Sequence, residues 1–156
     1  MSGGSEAGGV RGVIRGHTVV AQTLGYLNVR FVKGRIQDLA LDLGQADRWL
    51  ARNPITSAEG VWASEAHCEA LPRTSPTLPD SSVDLVVSNC VLNLVRPADK
   101  PALFGEIHRV LAPGGRAVIS DVTSDEDPAE AMMNDPKLWS DCISGAFRED
   151  RFLDMF

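Results

Sequence analysis

The largely apolar run from Val83 to Ser88 constrains the fold of this 156-residue chain more than any other stretch. Such a run, rich in β-branched residues, is typical of a strand that is buried on both faces of a parallel sheet. A helical pattern opens at Asp99, has Pro101 in its first turn, and stops at Pro113-Gly114-Gly115. A second apolar strand follows, from Arg116 to Asp121. Strand, helix and strand in this order predict a βαβ unit and an α/β fold.

The N-terminal third of the chain has weaker signals. Residues 1–16 are rich in Gly and Ser and predict a flexible N-terminal tail. The stretch from Val29 to Lys33 alternates apolar and polar residues, which predicts a further strand that ends at Gly34. Apolar residues then recur at helical spacing through residues 35–52, so we expect a helix there.

The middle and the end of the chain complete the predicted organisation. Residues 53–80 contain four prolines among Ser, Thr, Ala and Glu, and we interpret them as an insertion or a disordered loop. Residues 122–156 have mainly helical patterns, with one helix start at Asp127-Pro128. The sequence thus predicts one partial domain over residues 17–156.

Charge, hydropathy and cysteine content exclude several classes of protein. Lys and Arg number 15 against 21 Asp and Glu, so the net charge is −6 and the chain has no broad attraction for nucleic acid. No stretch has the length and apolar character of a membrane span. Three cysteines, Cys68, Cys90 and Cys142, cannot all pair within one chain and do not form a secreted disulfide scaffold. We therefore expect reduced thiols and a cytoplasmic protein.

Ligands of open α/β sheets bind beyond the carboxyl ends of the strands, which directs attention to a few polar residues. Ser88-Asn89-Cys90 directly follows the first strand of the βαβ unit and places an amide and a thiol at that edge. Ile36 and Gln37 follow the strand predicted near Val29. A free cysteine often packs as a small hydrophobe, and Ile36 and Gln37 could simply begin a helix. At this point both interpretations stay open.

Five stretches together resemble arsenite methyltransferases, which are S-adenosylmethionine-dependent enzymes with a Rossmann-like methyltransferase fold. The stretches are NVRFVKGRIQDL, PDSSVDLVVSNCVLNLV, LFGEIHRVLAPGG, ISDV and DPKLWSDCISGA. The resemblance covers roughly residues 17–39 and 79–156. HRVLAPGG occurs in many methyltransferases, whereas SNCVLNL followed by LWSDCISGA is far more specific.

The resemblance implies a role for each matching residue. Cys90 and Cys142 match the cysteines with which the family binds trivalent arsenic, since soft thiolates prefer soft centres. Ser88 and Asn89 match residues along the methionine part of S-adenosylmethionine. Ile36 and Gln37 match an Ile-Glu pair beside the adenine, with Gln in place of the acidic residue. The implied partners are trivalent arsenic or its thiol conjugates and a thiol reductant, while Cys68 matches nothing and is interpreted as a bystander.

The sequence also lacks a part of the family pattern. It has no Asp-x-Gly-x-Gly loop after a first strand, so we expect a partial sheet of the third to fifth strands, without the N-terminal glycine-loop strand and the C-terminal strands. Val83 to Ser88 would then form an exposed sheet edge through which chains could self-associate. Two alternatives therefore stay open: a non-catalytic fragment that binds a thiophilic metalloid or a partner chain, and a methyltransferase of another small molecule.

Overall fold

The computed structural model describes residues 18–155, so the predicted tail at residues 1–16 lies outside the described residues. The chain divides into two compact units. The first comprises the described residues of Met1–Arg35 with Ala40–Thr77, and the second comprises Ile36–Leu39 with the described residues of Leu78–Phe156. None of the helices between residues 18 and 155 combines the length and the apolar character needed to cross a bilayer.

The first unit is helical. Its helices are α1 over the described residues 18–23, α2 over Leu43–Arg52 and α3 over Ala58–Thr74. Asp42 caps α2 by accepting a hydrogen bond from the N–H of Gln45, and Ser57 caps α3 by accepting one from Gly60. The rings of Trp49 and His67 stack with their centroids 4.7 Å apart, which joins α2 to α3.

Two predictions for this unit are wrong. Residues 29–34 have no regular secondary structure, because a strand needs a neighbour for its backbone groups and no described strand pairs with them. The disordered loop predicted over residues 53–80 is instead the 17-residue helix α3 over much of its length. Three of its four prolines flank that helix, and Pro72 lies in the last turns, where it leaves most of the hydrogen-bond ladder intact. That the segment is an insertion stays a prediction.

The second unit contains the predicted βαβ arrangement. Strand β1, Val83–Asn89, pairs in parallel with β2, Leu111–Ser120, and helix α4, Lys100–Val110, connects them. Two short 3-10 turns precede α4, at Leu92–Leu94 and Pro97–Asp99. The register places Asn89 opposite Ser120, so both strands end at the same edge of the sheet.

Helix α4 covers one face of this sheet and forms the core with it. The buried cluster is apolar and continuous; it consists of Leu92, Val95, Leu103, Phe104, Ile107 and Phe147. Each fully buried side chain of this kind contributes roughly 1.5–3 kcal/mol to folding. Phe104 and Phe147 meet edge to face with ring centroids 5.8 Å apart.

The other face of the sheet differs from the prediction. Burial on both faces was expected, yet Leu85, Val87 and Val118 are 54%, 67% and 55% exposed. Alternate residues such as Val86 and Ala117 pack against the core cluster, so the strands are buried on the α4 side only. Among the described residues β1 has β2 as its one strand neighbour, which leaves its second edge unpaired.

The C-terminal segment is less helical than its pattern predicts. Helices α5, α6 and α7 are short and span Glu130–Met133, Pro136–Ser140 and Glu149–Leu153. Strand β3, Thr123–Ser124, precedes these helices and pairs in parallel with β4, Phe147–Arg148, which lies between α6 and α7. This pairing places β4 beside the chain just beyond β2. The residues before β4 therefore lie near the end of the sheet that β1 and β2 form.

Candidate active site

The structure brings Cys90 and Cys142 together at the end of β1. Cys90 follows β1 directly, and its backbone N–H donates to the carbonyl of Ser120 at 2.8 Å. Cys142 follows α6, and its thiol sulfur lies 3.3 Å from the carbonyl oxygen of Cys90, to which it donates. Cys90 is exposed and Cys142 is partly buried. The two cysteines, 52 positions apart in the sequence, therefore share one location at the sheet edge.

Both cysteines have left-handed backbone conformations. Their φ angles are +53° and +61°, and among the described non-glycine residues Ser81 is the one other with positive φ. A side chain in this region costs on the order of 1–3 kcal/mol, and such residues persist where the surrounding contacts hold them. Strain at two cysteines that meet in space is typical of a functional site.

Asp121, one residue beyond β2, connects the end of that strand to the residues that follow Cys90. Its carboxylate accepts hydrogen bonds from the N–H of Leu92 at 2.9 Å and of Val122 at 3.0 Å. Partial burial raises the pKa of the Cys142 thiol, and the nearby negative charge of Asp121 raises it further. The thiol is therefore protonated at neutral pH, in agreement with its hydrogen bond to Cys90.

The predicted cofactor residues lie in the same unit as the two cysteines. Ser88 is buried on β1, and its hydroxyl has no hydrogen-bond partner in the structure. Asn89 is exposed at the end of the strand. Ile36 packs against the core cluster, so its side chain also serves the fold, and Gln37 lies beside it in a turn. An orphaned buried hydroxyl and an exposed amide at a strand end fit a polar ligand beside Cys90.

Further polar residues of this region were not predicted from the sequence. Asn93 and Lys100 are buried and donate to backbone carbonyls of residues 142–147, the Cys142 segment. Gly145 in this segment lies so close to Asn93 that a Cβ added to it would be 1.8 Å from the carbonyl oxygen of Asn93. Asn93 interrupts an apolar stretch, which was the one signal that could have identified it, whereas Lys100 follows Asp99 and had no such signal. By contrast Cys68 lies in α3, within the first unit.

An acidic cleft of about 720 Å³ adjoins the segment that contains Cys142. Val122 and Ile143, the neighbours of Asp121 and Cys142, contribute to its lining together with Asp125, Glu126 and Glu149. Across residues 18–155 no cluster of three or more His, Cys, Asp or Glu could hold a metal ion. The chemistry available at the sheet edge is therefore that of two thiols with carboxylates nearby.

A parallel βαβ unit with polar residues at the strand ends is typical of the open α/β folds that bind nucleotides and related cofactors. The chain belongs to the methyltransferase domain family, whose sequence pattern matches residues 12–156. The α/β methyltransferase fold expected from the sequence is thereby confirmed. Family membership implies S-adenosylmethionine as the cofactor.

Several proteins to which the chain is similar are arsenite methyltransferases. The enzyme of Aquipseudomonas alcaligenes is 32% identical over 126 residues, which cover 81% of this chain and 26% of the relative. The enzyme of Halobacterium salinarum is 41% identical over 71 residues, which cover 46% of this chain and 18% of the relative. The chain thus spans about a quarter or less of the length of these relatives. The resemblance to the arsenite methyltransferase family is confirmed.

A solved structure is similar as well. It is the crystal structure of an arsenic(III) S-adenosylmethionine methyltransferase from Chlamydomonas reinhardtii. The two chains are 27% identical with a TM-score of 0.44, and the match covers 70% of this chain and 46% of the other.

Proposed function

We propose that this chain forms part of an arsenite methyltransferase in which Cys90 and Cys142 bind trivalent arsenic while it accepts a methyl group. The observation that carries the proposal is the 3.3 Å contact between the Cys142 thiol and the Cys90 carbonyl. The similarity to arsenite methyltransferases supports the choice of substrate. Thiolates are soft ligands and trivalent arsenic is a soft, thiophilic centre, so the residue type fits the substrate.

Binding is an exchange of arsenic–oxygen for arsenic–sulfur bonds. At each cysteine one As–S bond forms and one As–O bond breaks, and the thiol proton leaves with the released hydroxide as water. Burial and Asp121 raise the pKa of Cys142, so this residue carries the proton that the departing hydroxide requires. Two such exchanges hold arsenic at the sheet edge with its lone pair free.

The residues of β1 would hold the cofactor beside the arsenic. S-adenosylmethionine supplies an electrophilic methyl group when it is bound. Ser88 and Asn89 precede Cys90 directly, and we propose that they contact the methionine part, with Ile36 and Gln37 beside the adenine. Because Ser88, Asn89 and the two thiols share one strand end, they would orient donor and acceptor for an in-line transfer. Such orientation supplies much of the acceleration of a group transfer.

The acidic cleft favours one form of the substrate. Its lining carboxylates, Asp125, Glu126 and Glu149, repel anions, whereas arsenous acid is uncharged at neutral pH. We therefore propose uncharged trivalent arsenic as the preferred substrate over anionic thiol conjugates. Both cysteines must be reduced to react, which requires a thiol reductant and fits a cytoplasmic setting.

Mass spectrometry with phenylarsine oxide tests the arsenic site. This reagent bridges two neighbouring thiols and releases one water, so the intact chain should gain one phenylarsenic group. The double variant Cys90→Ser with Cys142→Ser should lose the adduct. Cys68→Ser is the matched control, because it removes one thiol outside the site and should leave the adduct unchanged. Absence of an adduct on the wild-type chain, or an adduct that survives in the double variant, would reject the proposal.

A further inference from the structure

We propose that the connection between β1 and α4 is a clamp that sets Cys142 beside Cys90, with Asn93 and Lys100 as its positioning residues. This inference rests on the proposed arsenic site and deepens it. The connection begins at Cys90 itself and ends at the first residue of α4, Lys100. One short segment thus contains one thiol and both residues that hold the segment of the other.

Asn93 is the first part of the clamp. Its side chain is 0% exposed, and its Nδ2 donates to the carbonyl of Cys142 at 3.1 Å and to that of Val122 at 2.7 Å. The first bond fixes the peptide of the cysteine itself, and the second fixes the segment that leaves β2. Asn93 Oδ1 has no partner. A buried amide is therefore retained although one of its atoms is unsatisfied, which costs free energy that an apolar residue would avoid.

Lys100 is the second part. It is 6% exposed, its Nζ donates to the carbonyl of Gly145 at 2.6 Å, and it lies 3.4 Å above the centroid of the Phe147 ring. Burial of an ammonium group is costly unless it is well coordinated. Here a carbonyl and an aromatic face, both from the Cys142 segment, supply that coordination. Lys100 thereby fixes the segment three residues beyond the cysteine.

The Cys142 segment depends on these contacts. Its own backbone bonds are local: the N–H of Cys142 donates to Trp139 and that of Ile143 to Leu138. Such bonds shape the turn, and the pairing of β4 with β3 ties the residues after it to the chain beyond β2. At Gly145 the segment approaches the carbonyl of Asn93 so closely that a Cβ would lie at 1.8 Å. Side-chain donors and close packing therefore act together with the β3–β4 pairing to set where the turn lies relative to β1.

The clamp has a chemical consequence. Chelation of one arsenic by two thiols requires both sulfurs within reach at once, and a preorganised pair binds more tightly than a mobile one. Reagents that need a single thiol gain nothing from this arrangement. Loss of the clamp should therefore weaken the bidentate reagent selectively.

The experiment compares Asn93→Leu and Lys100→Met in a Cys68→Ser background. The apparent affinity for phenylarsine oxide is measured by mass spectrometry against a competing small dithiol, and alkylation by iodoacetamide is followed at each cysteine. We expect each variant to bind phenylarsine oxide at least tenfold more weakly while both thiols still react with iodoacetamide. Ile107→Val is the control for lost core stability, because its aliphatic side chain is buried and cannot hydrogen-bond the segment.

Each outcome decides between the proposals. Failure of the wild-type chain to bind would reject the arsenic site and the clamp with it, whereas unchanged affinity in both folded variants would reject the clamp alone. If circular dichroism shows both variants unfolded, NMR of the wild-type chain decides. The side-chain amide protons of Asn93 should then exchange slowly with solvent, unlike those of the exposed Asn134. Equally fast exchange would overturn the clamp.

Discussion

The carboxylate of Asp121 accepts a hydrogen bond from the backbone N–H of Leu92 at 2.9 Å. This bond joins the end of β2 to the turn that begins two residues after Cys90. Burial raises the pKa of Cys142, and the charge of the same carboxylate raises it further, so one side chain both fixes the site and affects its protonation. Arsenic binding by Cys142 should consequently depend on Asp121 in a way that can be measured.

Asp121→Asn should lower the pKa of the Cys142 thiol part of the way towards its usual value. The amide keeps an oxygen that can accept from Leu92, but it removes the negative charge, whereas burial, the larger cause of the shift, remains. A lower pKa increases the fraction of thiolate at neutral pH, so Cys142 should be alkylated faster in the variant than in the wild-type chain. The pH profile of iodoacetamide alkylation, followed on the Cys142 peptide, measures this. Asp125→Asn is the control, and identical profiles for Asp121→Asn and wild type would contradict the prediction.

The left-handed backbone of Cys142 predicts which of two substitutions at this position gives the more stable chain. At φ +61° an alanine bears the left-handed penalty and a glycine does not, so Cys142→Gly should be more stable than Cys142→Ala by about 1 kcal/mol. The same pair at Cys68, inside α3, should reverse the order by about 1 kcal/mol, since glycine disfavours helices. Urea denaturation of the four variants compares them. If alanine is the more stable substitution at both positions, the backbone of Cys142 is not strained.

The sequence predicted the βαβ unit well because its signals are local. The apolar run ending in Ser-Asn-Cys and the proline in the first turn of α4 each determine their own neighbourhood, and β1 and α4 follow. Pro113-Gly114-Gly115 was expected to end the helix, yet α4 ends at Val110 and these three residues lie inside β2. The meeting of Cys90 and Cys142 came from the family resemblance, because a contact across 52 positions has no local signal.

The errors have tertiary causes. Val29 to Lys33 has a strand pattern, yet pairing depends on a neighbour that local sequence does not specify. The prolines after Asn53 suggested a loop, although most of them flank a capped helix. Asn93 and Lys100 could not be identified because the local sequence around a polar residue does not reveal which carbonyls it will meet.

Ser88→Ala should change cofactor affinity and stability in opposite directions. The buried hydroxyl has no partner, so its removal should leave the free energy of unfolding equal or raise it by up to about 1 kcal/mol. If this hydroxyl contacts S-adenosylmethionine, the loss of one hydrogen bond should weaken binding roughly fivefold. Titration calorimetry with the intact chain measures the affinity, and Ser82→Ala, exposed before β1, is the control. Unchanged affinity would remove Ser88 from the cofactor site, and no heat from the wild-type chain at millimolar cofactor would favour the non-catalytic alternative.

Lys100 should make stability depend on pH in the alkaline range. Burial lowers its pKa to about 8 from the ordinary 10.5, against a smaller opposing effect of the negative charge of Asp121. Between these two values the unfolded chain binds more protons than the folded chain, so the free energy of unfolding rises as pH increases through this window. From pH 7 to pH 9 the wild-type chain should gain about 1 kcal/mol relative to Lys100→Met, measured by urea denaturation at each pH. The exposed Lys137→Met should follow the wild-type curve. Parallel curves for wild type and Lys100→Met would mean that the ammonium group of Lys100 is not held in a desolvated position beside Gly145.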